Sequence, residues 1–425
     1  MIKNKLIASI DVGTSKVTTL VAQVNFDEMT QEKSINIIGV STVPSKGVKK
    51  GQIVDIEESV ESIISSIEPA ERMSGYNLES AIVSVGGANI SSQNSKGVVA
   101  VANSTGEVTP EDVRRVIDAA QAISQPASRE VIHVLPREYI VDGESGVRDP
   151  IGMSGVRLEV ETHMVSASSA ALKNLTKSIN EVGVNVESLV FSGLAASYAT
   201  LTPTEKELGC VLIDIGAGTT SIAAFVDGAL AYSGAIPVGA RNVTNDLAIG
   251  LRVSLEAAEK IKINLNKLAS SVDKRGKELV EISETGSKES KKVTKRTLTE
   301  GIIKPRLNEI FSMVKAELEK ARLMNKIPSG VVITGGGSLT AGVDESAKRV
   351  LSLPTRIAKP SGVKGLIDDI IDPRFSTSIG LILYGASNVS ENTSSTVSSF
   401  AKGVKLPKAG DAFGKIMDTI KNLLP

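Results

Sequence analysis

Two stretches of this chain, about half its length apart, carry nearly the same residues in the same order. The first is LIASIDVGTSKVTTLVAQV (Leu6–Val24) and the second is CVLIDIGAGTTSIAAFVDG (Cys210–Gly228). Each reads as an apolar β-type run closing on Asp, a short turn of Gly, Thr or Ser, and a second β-type run. A short apolar run bounded by turn residues is the pattern of a buried strand. Gly13 in one copy, and Gly216 and Gly218 in the other, let the backbone turn tightly and aim amide N–H groups at an anion. Thr14, Ser15, Thr219 and Thr220 add hydroxyl donors for phosphate oxygens. Asp11 and Asp214 close the two strands, where a carboxylate can hold a hydrated Mg²⁺, an ion that binds through few protein ligands. Either copy alone is equally an ordinary hairpin. Two copies facing each other across a cleft would clamp a nucleotide from both sides, and the duplication favours that function.

At 425 residues the chain is too long for one core, and domain sizes suggest roughly two to four units. Lys plus Arg equals Asp plus Glu, 48 each, so no global field points to nucleic acid. Trp is absent and aromatics are scarce, which argues against base-stacking platforms. The single cysteine, Cys210, sits in an apolar run and reads as a small core residue of a reducing compartment. Asp11 and Lys16 interrupt the first apolar run, so it is no export signal. No apolar stretch approaches the roughly 20 residues that span a bilayer. The expectation is a cytosolic body.

The spacing predicts a third strand at Ile35–Pro44, a helix over Ile56–Glu71, and a strand at Ala81–Gly87 ending in a glycine pair. Residues 88–162 read as an insert. It holds a helix at Pro110–Ala122, capped by Thr109, and strands Val131–Asp142 and Val156–Ala167 flanking a loop rich in Gly, Asp and Pro. The small-residue run Gly193–Leu201 suits a helix packed closely on a neighbour, and Phe375–Ala386 repeats its character. Residues 270–298 are charged, as in an exposed hairpin or flexible edge, and a long helix is expected at about Leu298–Asn325. The strand–turn–strand unit and its later small-residue helix both occur twice. The chain is therefore expected to be a duplicated α/β fold with inserts.

The strand of VVITGGGSLTAG (Val331–Gly342) breaks into three glycines, a surface without Cβ atoms that suits the close approach of a flat nucleoside. A plain strand-to-helix turn would look similar. After two strand–Asp–Gly turns, in this order, the triplet becomes specific. At this point the chain resembles the actin-like (ribonuclease H-like) ATPase superfamily. IDVGTSK is similar to its first phosphate motif, IDIGAGTT to its second, and TGGGS to its adenosine motif. Within that superfamily it resembles the FtsA family of bacterial cell-division proteins, over nearly the whole chain. NIIGVSTVPSKGVKKGQIVD, VIHVLPREYIVD, PIGMSGVRLEVETHMV and VTNDLAIGL carry that closer likeness.

The resemblance implies a four-subdomain body with ATP and Mg²⁺ in a central cleft. Subdomain 1A would take 1–87 and 163–203, the inserted subdomain 1C 88–162, 2A 204–240 and 305–387, and 2B 241–304. It further implies polymerisation, binding of the C-terminal tail of the tubulin-like protein FtsZ, and contact with other division proteins through 1C. FtsZ filaments would thereby be tethered to the inner face of the cytoplasmic membrane. Carried over, Gly13, Thr14, Ser15 and Lys16 would face the phosphates from one side, and Gly216, Ala217, Gly218, Thr219 and Thr220 from the other. Asp11 and Asp214 would hold Mg²⁺ through water. Gly335, Gly336, Gly337 and Ser338 would lie against adenosine, and Glu259 and Lys262 match positions that contact ribose and adenine; an ordinary surface ion pair fits them too. Relatives carry Glu-Pro at the start of the first connecting helix, where this chain has Ser192 and Gly193. A polar side chain there helps position the attacking water, so slow hydrolysis is expected.

Residues 388–410 read as a flexible linker. Beyond it, Phe413, Ile416, Met417, Ile420, Leu423 and Leu424 form one apolar stripe at helical spacing, with lysines around it. That pattern suits a helix lying in an anionic membrane surface, although docking on its own body or a partner groove uses the same stripe. His133 and His163 stand alone and read as sheet residues. In the basic run Lys291–Thr297, Arg296 is the residue the resemblance points to for the acidic FtsZ tail. Two rivals share the phosphate turns. A small-molecule kinase would need an Asp aimed at a substrate hydroxyl, and no such motif is evident. The FtsA-like ATPase of type IV pilus assembly lacks the linker and terminal helix.

Overall fold

The computed structural model describes residues 2–27, 33–265, 270–272, 278–283, 290–366 and 370–391. The stripe from Phe413 to Leu424 and most of the expected linker lie outside the described residues.

The duplication is visible as two sheets of one design. In the first, Ile2–Val12, Lys16–Asp27 and Lys33–Pro44 form an antiparallel meander, and Ile2–Val12 also runs parallel to Ser80–Val85, which runs parallel to Asn185–Phe191. In the second, Cys210–Ile215, Thr220–Val226 and Ala229–Ile236 repeat the meander, with Val331–Thr334 and Thr355–Ile357 as the parallel strands. Both sheets thus have the order third, second, first, fourth, fifth strand. The first gains a two-residue edge strand, Lys364–Gly365, donated by the second half of the chain. The central strands are apolar on both faces because helices cover both, so Cys210–Ile215 is buried everywhere but Asp214.

The two small-residue helices, Ser192–Thr200 and Ser376–Glu391, cross each other between the sheets. A Cβ built on Gly380 would lie 1.8 Å from the Ala195 carbonyl oxygen, so the backbones touch and no larger residue fits. Every residue of the first helix is buried except Tyr198. The second helix runs to Glu391, so residues 388–391 are helical where a linker was expected.

The insert is a four-stranded antiparallel sheet, ordered Ser91–Ala100, Arg157–Ser168, Arg129–Val141, Glu144–Val147. The helix Pro110–Gln121 lies on it, started by a reciprocal cap between Thr109 and Asp112. Val113, Val116, Ile117, Leu158 and Val160 make its own core. Glu144–Val147 falls where a loop was expected. Asp142 (φ 50°) and Gly143 (φ 92°) form the left-handed pair that a two-residue hairpin requires.

The charged segment folds as a three-stranded sheet, Ser270–Val272, Glu278–Ser283 and Ser290–Thr294. The long helix begins later than expected and spans Lys304–Lys320, after a short helix Lys295–Leu298 and a wide π turn, Thr299–Ile303. Lys304 N–H donates back to the Thr299 carbonyl, and Pro305 next to it has no N–H with which to continue the ladder.

Candidate functional site

The two duplicated turns are closed alike. Gly13 N–H donates to the Lys16 carbonyl at 3.0 Å, and Gly216 N–H to the Thr219 carbonyl at 2.9 Å. Each is braced from the segment after its third strand: Ser45 N–H donates to Ser15, and Ala240 and Arg241 N–H to Gly216 and Ala217. The turns meet face to face, since a Cβ on Gly218 would lie 2.7 Å from Thr14 Oγ1. Thr14 Oγ1 accepts from Gly51 N–H at 3.0 Å. Ser15 is exposed and Thr219 half-buried. Thr220 turns away, its hydroxyl donating to the Val238 carbonyl at 2.9 Å.

Asp11 and Asp214 end equivalent strands and are held by different elements. Asp11 Oδ1 accepts from Ser84 Oγ at 2.6 Å, within its own half. Asp214 Oδ2 accepts from Thr377 Oγ1 at 2.9 Å, at the start of the second crossing helix. Burial pushes both carboxyls above their ordinary range, Asp214 to about 6, and the charge of Asp11 adds to that rise. The half-buried Lys16 lies beside them, with its ammonium shielded from solvent. Among the described residues its ammonium has no hydrogen-bond partner, and it rests 4.0 Å from the centre of the Phe375 ring. Burial lowers its pKa to about 8, against the pull of Asp11.

An unpartnered buried ammonium is costly unless something accepts its protons. Two desolvated carboxylates likewise need a positive charge. The site therefore fits a group that brings anionic oxygens to Lys16 and a cation to Asp11 and Asp214. Among the described residues no cluster of three or more His, Cys, Asp or Glu could hold a bare metal ion. A hydrated Mg²⁺ is the ion that two carboxylates suit.

The glycine triplet folds over this site. A Cβ on Gly335 would lie 2.1 Å from Asp214 Oδ1, and one on Gly337 2.3 Å from Ile215 Cγ2. Those two glycines answer to packing against the neighbouring strand. Gly336 is the roomier one, its nearest neighbour being Arg374 Cγ at 3.5 Å. Ser338 is buried and donates to the Gly335 carbonyl at 2.7 Å, so it ties its own turn.

Glu259 and Lys262 sit on the helix Leu255–Asn264 and pair at 2.7 Å. The pair is no surface bridge, because Lys262 is buried and also donates to Thr244 Oγ1 at 3.0 Å and the Ala240 carbonyl at 3.4 Å. Ala240 is itself bonded to Gly216, so the cross-brace reaches the second turn through one residue. Ser192 is buried and its hydroxyl lies 3.0 Å from that of Ser221.

Ser84, Thr377, Arg374 and Phe375 were not singled out from the sequence. The run Ser376–Thr377–Ser378 at a helix start was a visible signal, but helix capping explains such runs equally well. The histidines lie apart from the cleft and tie the insert to both halves. His133 Nε2 accepts from Phe191 N–H at 3.0 Å, and the His163 ring bridges Asn94 Oδ1 at 2.6 Å and Ser233 Oγ at 3.0 Å. Burial lowers them to about 4 and about 3.

Two sheets of one strand order, facing Asp–Gly turns and crossed small-residue helices define an actin-like ATPase fold. Solved structures agree. The chain is similar to one titled as the PilM–PilN type IV pilus biogenesis complex, with a TM-score of 0.61, 14% identity, and 89% of this chain and 98% of that chain covered. It is also similar to MreB 5 of Spiroplasma citri bound to AMPPNP, with a TM-score of 0.53, 16% identity, and coverage of 91% and 99%.

Residues 87–166 match the family described as the SHS2 domain inserted in FTSA, and residues 211–380 match that described as cell division protein FtsA. Cell division protein FtsA of Pseudomonas aeruginosa is 40% identical over 405 residues, covering 95% of each chain. That of Borreliella burgdorferi is 42% identical over 397 residues, covering 93% and 95%. The chain belongs to the FtsA family of bacterial cell-division proteins.

Proposed function

We propose that the cleft binds ATP with Mg²⁺ and that the bound nucleotide switches assembly of this protein on a membrane, where it tethers FtsZ filaments. The observation that carries the nucleotide reading is the Lys16 ammonium, buried within the pull of Asp11 and Asp214 and without a hydrogen-bond partner among the described residues. Amides of Thr14–Lys16 and Ala217–Thr219 would cradle the phosphates from two sides. Asp11 and Asp214 would hold the hydrated ion, which neutralises phosphate charge. Equilibrium binding of ATP and ADP with and without Mg²⁺ tests this, and the absence of binding to the full chain would refute it.

Hydrolysis is expected to be slow. The start of the first crossing helix offers Ser192, already paired with Ser221, where a longer acid would reach for water. Phosphate release faster than about one per second, the lower end of kinase rates, would contradict a switch role.

Membrane attachment rests on the stripe from Phe413 to Leu424. Deleting 411–425 should abolish co-sedimentation with anionic liposomes. The exposed Arg296, on the short helix beside the three-stranded sheet, is the first residue to test against an FtsZ tail peptide. The insert, with its own core, is the element offered for other division proteins. The same body supports self-association into filaments, for which electron microscopy on lipid monolayers with ATP is the direct test. A role in pilus assembly is disfavoured, because that likeness concerns the fold alone and the insert matches FtsA.

A further inference from the structure

Arg374 stands in the short turn Pro373–Phe375 that leads into the second crossing helix. The turn is fastened to the glycine triplet, because Gly335 N–H donates to the Pro373 carbonyl at 3.1 Å. The stem of Arg374 borders Gly336, whose Cβ, if it had one, would lie 3.5 Å from Arg374 Cγ. Its guanidinium carbon is 6.0 Å from the centre of the Phe375 ring, the same ring that carries Lys16 Nζ at 4.0 Å. One aromatic ring is therefore shared by two cations, one from the first phosphate turn and one beside the triplet.

Two like charges at one ring repel each other, and the charge of Arg374 is felt at Lys16. Asp372 answers Arg374 directly, while Asp11 and Asp214 attract Lys16 without a hydrogen bond among the described residues. Asp372 Oδ1 accepts from Arg374 Nε at 2.8 Å and from Arg374 N–H at 2.9 Å. That ion pair is partly exposed, with side chains 53% and 26% accessible, so water and salt weaken it. A ligand carrying several negative charges would relieve the repulsion and supply Lys16 with acceptors. The planar fork of an arginine suits two phosphate oxygens at once.

Resting on the nucleotide cleft argued above, we propose that Arg374 is a phosphate-contacting residue. It leaves Asp372 on binding and closes on the polyphosphate from the triplet side, at the ring it shares with Lys16. Asp372 is then the internal competitor that holds the guanidinium ready. The two variants should act in opposite directions, which a merely structural role of the turn would not produce.

The test is equilibrium binding of ADP, ATP and adenosine to the full chain and its variants. Arg374→Ala should weaken ADP and ATP by about tenfold to a hundredfold, the loss of one or two charge-assisted bonds, and leave adenosine unchanged. Arg374→Lys should fall between Ala and wild type. Asp372→Asn, which keeps a capping oxygen, should tighten ADP several-fold, and that gain should shrink when Arg374 is also replaced. Unchanged ADP binding by Arg374→Ala overturns the proposal while leaving the cleft intact as a nucleotide site. So does weakening by Asp372→Asn as large as that by Arg374→Ala. Absence of any nucleotide binding by the wild-type chain removes the underlying reading itself. If Arg374→Ala fails to fold, the sign of the Asp372→Asn effect decides.

Discussion

The two halves of the body share a strand order and a turn length, yet the two turns differ in chemistry. Gly13-Thr14-Ser15-Lys16 carries a cation, and Gly216-Ala217-Gly218-Thr219 carries none. The first turn supplies charge, and the second supplies room, for Gly218 lies where any side chain would strike Thr14. The fourth strands diverge in the same way. Ser80–Val85 is followed by Gly86 and Gly87, and Val331–Thr334 by Gly335 and Gly336. In the first half a Cβ on Gly51 would sit 2.8 Å from Gly87, so the chain's own loop covers that pair. In the second half Gly336 is bordered by the long side chain of Arg374. Duplication repeats the backbone, and divergence gives each half a separate task in one cleft.

The sharpest way to break this symmetry is at the crossing helices. Gly380→Val should cost about 3 kcal/mol or more, because its Cβ would overlap the Ala195 carbonyl oxygen and backbone cannot give way. Urea unfolding measures it. Next come equivalent positions in the two turns. Lys16→Met should weaken ADP about tenfold to a hundredfold, and Thr219→Val only a few-fold. Equal losses would show the turns to be interchangeable. Gly218→Ala should weaken ADP about tenfold, and adding Thr14→Ala should restore part of it. Those two residues touch, so their effects should not add.

The cleft and the insert junction should respond to pH with opposite signs. The carboxyl of Asp214 keeps its proton up to about 6 in the folded chain but loses it near 3.8 when unfolded. Without nucleotide, it adds stability as pH falls from about 7 toward 4. His133 and His163 refuse protons until about 4 and 3, against 6.5 when unfolded. Each removes stability as pH falls through that window, on the order of 3 kcal/mol near pH 4. Thermal melts between pH 7 and 4 should therefore fall in the wild type and fall less in a His133→Gln, His163→Asn variant. Mg²⁺-dependent ATP affinity should weaken below about pH 6, as Asp214 takes up its proton. The smallest effect is expected at Glu259→Gln, because Lys262 retains Thr244 and the Ala240 carbonyl. ADP affinity there should change less than about threefold.

Turn chemistry and hydrophobic period act over a few residues, so they were legible in the chain. The paired turns, the two strand-ending acids, the small-residue helices and the Thr109 cap all follow from local spacing. The Asp142–Gly143 hairpin was equally local, but a composition rich in Gly, Asp and Pro masked it as a loop. Pairing across the fold is a different matter. Thr377 holds Asp214 from 163 positions away, and Ser84 holds Asp11 from 73. No local rule connects them, because one contact exists only once the second crossing helix has docked and the other only once two distant strands have paired. A glycine in the sequence says that a Cβ is excluded, and only tertiary structure says by what. At Gly335 it is Asp214, at Gly218 Thr14, and at Gly380 the backbone of the opposing helix. The sequence alone determined that this chain has two strand–Asp–Gly turns of one design. The fold decided that the ammonium of Lys16, from one of them, is buried within the pull of both acids and has no hydrogen-bond partner among the described residues, because burial depends on what the second half places around it.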